Sequence, residues 1–127
     1  MATIIAADDD PDLRAIVASI LRRAGHVVQL EEDGAAALAR VRENRPDVLI
    51  IDNQMPRMTG LEVRNVLRAD PRTADLPIVL ASGSLRAEEL DPPNPLDYLV
   101  PKPFTSGHLL EAVELALLGA VFNPVRN

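Results

Sequence analysis

Asp8, Asp9, Asp52, Ser82 and Lys102 are the side chains in this 127-residue chain whose types and settings could do chemistry together. Each follows a short apolar run. Thr3–Ala7 precedes Asp8-Asp9, Val48-Leu49-Ile50-Ile51 precedes Asp52, Ile78-Val79-Leu80-Ala81 precedes Ser82, and Tyr98-Leu99-Val100 leads to Lys102. Such runs read as buried strands. In open α/β sheets, ligands bind beyond the carboxyl ends of the strands. If the first and third strands are neighbours, three carboxylates share one crevice and raise each other's pKa unless a cation sits among them. An oxygen-only ligand set favours a hard ion, most simply Mg²⁺. A carboxylate beside Mg²⁺ and a lysine can attack a phosphoryl group and become an aspartyl phosphate. Lys102 would pair with a phosphoryl oxygen, and Ser82 would donate a hydrogen bond once the phosphate is present.

Simpler roles account for other acids. Asp10 reads as a helix cap ahead of Pro11, and Asp12 as a helix-dipole partner. Asp52 has no helix start within reach of its side chain, because Asn53-Gln54-Met55-Pro56 is a loop.

The elements that must position these groups alternate. Leu13, Ile16, Val17, Ile20 and Leu21 recur at helical spacing after Pro11, and Gly25 stops that helix. Val27–Leu30 is a second short strand. Asp33 can cap a helix from about Gly34 to Asn44. Thr59 and Glu62 form a capping-box pattern before Val63, Val66 and Leu67, with Pro71 ending the helix. Pro77 marks the entry to the fourth strand. Leu85–Leu90 reads as a short fourth helix, broken by Asp91-Pro92-Pro93-Asn94-Pro95. A last helix starts after Thr105 or Ser106 and carries Leu109, Leu110, Val113 and Leu117. Strand and helix thus alternate five times. The fold class is α/β, a five-stranded parallel sheet with helices on both faces in a doubly wound sandwich.

Composition narrows the function. The formal charge is −6, which argues against a nucleic-acid binder. One Tyr, two Phe and no Trp leave an aliphatic core and little to stack bases on. The absence of Cys excludes disulfides, thiolate metal sites and Cys nucleophiles. No apolar run approaches a membrane span, and the first residues lack the features of a secretory signal, so the expected address is the cytoplasm. His26 reads as an exposed turn residue and His108 as a surface residue of the last helix. Met55 and Met58 read as loop packing.

The ordered set resembles the receiver domain of bacterial two-component response regulators, over nearly the whole chain from Ile4 to about Leu118. The matching pieces are Asp8-Asp9, Asp52 with Met55-Pro56 and Gly60, Ser82-Gly83, and Lys102-Pro103-Phe104. The resemblance implies a flavodoxin-like (β/α)5 fold with strand order 2-1-3-4-5. It implies that Asp52 is the phosphoacceptor, and that Asp9 and Asp52 bind Mg²⁺ directly, with Asp8 contacting it directly or through water. The backbone carbonyl of Gln54 is a further implied ligand, Ser82 the switch hydroxyl and Lys102 the phosphate-pairing lysine. The Lys102–Pro103 bond is expected to be cis. The phosphoryl donor would be a sensor histidine kinase or a histidine phosphotransfer protein, and the readout a downstream protein target or a phosphorelay. Residues 1–127 are expected to form a single receiver domain with no output domain, monomeric or weakly dimeric. It would be no enzyme beyond its own phosphorylation and dephosphorylation. Gln54 and Ser84 stand where relatives tune dephosphorylation.

Three departures from the family pattern stand out. Relatives usually carry Tyr or Phe three residues before the lysine, where this chain has Leu99, with Tyr98 one place earlier. Either Tyr98 is not the switch aromatic, or the strand is irregular near Pro101. The shortened fourth helix alters the face it usually forms with the fifth strand and last helix, the output and dimerisation surface of relatives. The switch hydroxyl is Ser where Thr is usual, which keeps the donor. The first two departures motivate an alternative, a phosphorylation-independent interaction domain. A metal-dependent phosphatase or phosphotransferase acting on small molecules is a third reading, for which the chain leaves little room.

Overall fold

The computed structural model describes residues 1–122. The expected domain limit at Asn127 lies outside the described residues. Five strands, β1 (Thr3–Ala7), β2 (Val27–Glu31), β3 (Val48–Asp52), β4 (Ile78–Ser82) and β5 (Asp97–Pro101), form one parallel sheet in the order β2-β1-β3-β4-β5. The helices are α1 (Pro11–Arg23), α2 (Gly34–Glu43), α3 (Gly60–Ala69) and α4 (Ser106–Phe122). The expected strands and strand order are all present.

The two faces of the sheet divide the core by residue parity, since side chains alternate across a strand. Ile4, Ala6, Val48, Ile50, Val79 and Val100 meet Val17 and Leu21 of α1 and Leu109 and Val113 of α4. Ile5, Ala7, Leu49, Ile51, Ile78 and Leu80 meet Ala37 and Val41 of α2 and Val63 and Leu67 of α3. Burial on both faces explains why β3 and β4 are buried throughout and read as unbroken apolar runs.

The caps form as the local chemistry dictates. The Asp10 carboxylate accepts the N–H groups of Asp12 and Leu13, with Pro11 opening α1. Thr59 and Glu62 make a reciprocal capping box on α3. Asp33 caps α2 through the Ala36 N–H.

The fourth βα unit differs from the expectation. Between β4 and β5 the regular helical structure is a single 3-10 turn, η1 (Ala87–Glu89), in place of a helix over Leu85–Leu90. The physical reason is partly local, since Pro92, Pro93 and Pro95 cannot continue a helix. It is also tertiary. Arg64 of α3, buried, and Arg68, half-buried, converge on Asp97 at the start of β5 at 2.6 Å and 2.8 Å. Arg64 also donates to the Pro92 carbonyl, and Arg68 to those of Ala74, Leu76 and Leu96. This network packs the connection against α3 where a helix would otherwise lie.

β5 is regular. Its register with β4 runs from Ile78↔Asp97 to Ser82↔Pro101 without a bulge. Tyr98 therefore faces the α1/α4 side, where its hydroxyl donates to the Leu115 carbonyl at 3.1 Å. Leu99 packs on the opposite side. Of the two readings of this pair, irregularity near Pro101 is not what the strand shows. His26 also differs from expectation. It is half-buried, and its Nδ1 accepts the Ala2 N–H at 3.2 Å.

Candidate functional site

A parallel sheet brings every carboxyl end to one edge, and the strand order decides which ends touch. Ala7 pairs with Ile51, so the residues that follow, Asp8 and Asp52, leave adjacent strands side by side. Asp52 pairs with Ala81 and Ser82 with Pro101, which brings Ser82 and Lys102 to the same edge. A side-chain oxygen from each of Asp8, Asp9 and Asp52 lies within 4.8 Å of the others. Asp8 and Asp52 are buried, and Asp9 is exposed. Three carboxylates at this spacing form an all-oxygen cluster that could hold a divalent cation.

Lys102 closes the site from the other side. Its Nζ lies 3.0 Å from Asp52 Oδ1 and 3.3 Å from Asp8 Oδ2. The bond to Pro103 is cis, as expected. Burial pushes the Asp52 carboxyl above its ordinary value. The hydrogen bond and charge of Lys102 oppose that, while the Asp8 charge adds to it. For Lys102, burial works against the charge, but Asp52 and then Asp8 outweigh it and raise the ammonium above its ordinary range. Both shifts describe one crevice, poor in water and crowded with like charge, that a single ammonium only partly neutralises.

Ser82 is buried at the tip of β4. Its Oγ accepts the N–H groups of Ser84 and Leu85 at 3.1 and 2.9 Å, which folds the following loop back on the strand. A hydroxyl that accepts twice keeps its own proton to donate. Gln54 has its backbone N–H close enough to the Asp52 carboxylate to favour the charged form. The sequence-predicted site residues, Asp8, Asp9, Asp52, Gln54, Ser82 and Lys102, thus gather at the carboxyl edge of the sheet.

Other residues at this edge carried no clear sequence signal. Arg14 of α1 donates to the Asp8 backbone carbonyl at 2.7 Å. Asn53 fastens the start of the β3–α3 loop to α3, accepting from Gly60 N–H at its carbonyl and from Leu61 N–H at its side chain. Gly60 is required by this approach, since a Cβ there would lie 2.7 Å from the Asp52 carbonyl oxygen. The one available signal was Gly60 itself, a glycine opening a capped helix.

The response regulator receiver domain model matches residues 4–114. The chain belongs to that family. Among curated relatives, it is 35% identical over 116 residues to the DNA-binding response regulator MtrA of Mycolicibacterium smegmatis, covering 90% of this chain and 50% of the relative. It is 40% identical over 118 residues to the response regulator MprA of Mycobacterium leprae, again covering 90% of this chain and 50% of the relative. This receiver chain therefore spans about half the length of those curated relatives. Among solved structures, it superposes on the chemotaxis protein CheY4 of Vibrio cholerae with a TM-score of 0.81 and 31% identity, covering 92% of this chain and 99% of that one. The fold and the family read from the residues are the ones found.

Proposed function

We propose that this receiver domain is a phosphorylation-controlled signalling switch in which Asp52 accepts a phosphoryl group in a Mg²⁺-dependent reaction. The observation that carries the reading is the meeting of the Asp8–Asp9–Asp52 cluster with the Lys102 ammonium 3.0 Å from Asp52. Asp8, Asp9 and Asp52, with the Gln54 carbonyl, would hold the ion. When bound, Mg²⁺ supplies the positive charge that lets a carboxylate approach a phosphoryl group.

The residues of the chain do the rest. An Asp52 oxygen attacks phosphorus while the bond to the donor imidazole nitrogen breaks and its electron pair stays on that nitrogen. Burial makes Asp52 a poorly hydrated nucleophile, and Lys102 favours its charged form against that burial. Lys102 then pairs with a phosphoryl oxygen. Ser82 donates its free proton to another, which turns its hydroxyl away from Ser84 and Leu85 and re-forms the loop. A shallow concavity lined by Leu13, Pro103 and Phe104 beside Lys102 offers the donor a docking surface. That donor would be a histidine kinase or a histidine phosphotransfer protein, and the output a phosphorylation-dependent contact with a protein target, or a phosphorelay. The domain would act in the cytoplasm; among the described residues no helix is long and apolar enough to cross a membrane. MtrA is a DNA-binding response regulator by name, and this domain would act on DNA only through attached segments, given its net charge of −6.

The test is acetyl phosphate labelling read by intact-mass spectrometry. Wild type should gain one phosphoryl group only with Mg²⁺, and Asp52→Ala should gain none. A folded wild type that stays unlabelled at saturating Mg²⁺ would sink the reading. A second reading, a phosphorylation-independent interaction domain, is favoured by the Arg64–Asp97–Arg68 network and by Leu99 at the aromatic position. Partner affinity that is equal with and without beryllofluoride would select it.

A further inference from the structure

The β3–α3 loop contains the only described non-glycine residue with a left-handed backbone, Arg57 at φ 68. A side chain at such a position is disfavoured unless its surroundings hold it there. Two contacts from α2 do so. The Arg57 guanidinium forms an ion pair with Asp33, whose carboxylate is buried and also caps α2 through Ala36 N–H. Beside it, Met58 lies directly on Gly34, where a Cβ would be 2.2 Å from the Met58 carbonyl oxygen. The loop is thus fastened twice. Asn53 ties its start to the head of α3, and Arg57-Met58 tie its outer turn to the head of α2. Gln54 lies between the two fastenings, with its N–H at the Asp52 carboxylate.

We infer that the Asp33–Arg57 ion pair is a positioning element for the cation site, holding the turn that presents Gln54 and keeps it against Asp52. The inference rests on the reading that Asp8, Asp9, Asp52 and the Gln54 carbonyl hold Mg²⁺. A carbonyl ligand cannot be re-aimed by its own side chain, so its place depends on the backbone around it. A residue in the left-handed region is where that backbone is least able to hold itself. The buried acid supplies the restraint from outside the loop, in the manner of the outer-shell partners of other metal ligands.

The experiment measures Mg²⁺ affinity by isothermal titration calorimetry, alongside thermal unfolding in EDTA. Arg57→Asn suits the question, because Asn tolerates the left-handed region yet lacks the charge. Asp33→Asn keeps a good helix cap and also removes the pair. Each should bind Mg²⁺ about tenfold more weakly, with the EDTA unfolding midpoint of Arg57→Asn close to wild type. Arg57→Lys should restore most of the affinity. The double variant should be no weaker than either single one, as for two residues acting through one contact. Unchanged Mg²⁺ affinity in Arg57→Asn, with wild type binding normally, overturns the inference alone. A wild type that binds no Mg²⁺ overturns the cation site itself.

Discussion

Asp52 is asked to be both buried and charged, and its neighbours set the terms. Its folded-state pKa is raised, first by burial and against the help of Lys102. A raised carboxyl contributes stability below the ordinary carboxylate range and loses it as pH rises through the folded value. At neutral pH the ionised group therefore strains the metal-free fold. Asp52→Asn should raise the urea midpoint in EDTA at pH 7, with the difference vanishing in acid. Urea unfolding across pH measures it, and an Asp52→Asn variant less stable than wild type at pH 7 would contradict the account. Asp33 has the opposite sign. The Ala36 N–H, against the cost of burial, and then Arg57 hold its carboxyl below the usual range. Its contribution is present above that range and fades as pH falls through the folded value. Lys102→Ala should slow acetyl phosphate labelling on the order of 10²-fold, the usual effect of losing one preorganised partner of a reacting oxyanion. The rate of mass gain reads this directly.

At the scale of the element, the β4–β5 connection is where the structure departs most from the sequence expectation. A 3-10 turn and a proline-rich run replace a helix, and two arginines of α3 hold the run through Asp97. Asp97→Ala would leave the buried Arg64 guanidinium without its counter-charge and take the nearest acid from Arg68, at a cost of about 3–5 kcal/mol, seen as a lower urea midpoint. A loss well under 1 kcal/mol would show that the network is not what holds this connection. Little in the local sequence revealed it. Arg64 and Arg68 stand four apart on a helix, a spacing that usually marks a solvated face, and the partner acid lies in another element. The capping box on α3, by contrast, was fully legible, because its bonds run between residues three apart. Thr59→Ala should cost about 1 kcal/mol.

Across the whole molecule, stability and the site are linked through the sheet edge. Three carboxylates gathered at the ends of two adjacent strands, β1 and β3, repel one another in the folded state and not in the unfolded chain. A cation bound there should raise the unfolding midpoint as its concentration rises, by about 2.7 kcal/mol at a hundredfold excess over its dissociation constant. Asp52→Asn should lose most of this Mg²⁺-dependent gain, although it is the more stable protein in EDTA. Thermal unfolding at stepped Mg²⁺ concentrations separates the two effects. The parity of β5 also has a molecular consequence. Tyr98 is committed to α4 through Leu115, so an inward aromatic movement on the Leu99 side has no aromatic to use.

The alternating apolar runs and caps determined the strands, most of the helices and the acids that end the strands, because these are set by neighbours along the chain. The resemblance of their ordered set determined the family. Tertiary structure alone decided that Asp97 would be clasped by Arg64 and Arg68, that Arg57 would reach Asp33, and that Arg14 would hold the Asp8 carbonyl. Those contacts join residues from different elements. Their groups meet only in three dimensions, through charges buried together at Asp97 and through charge and hydrogen bonding at Asp33 and the Asp8 carbonyl, which no spacing along one chain encodes.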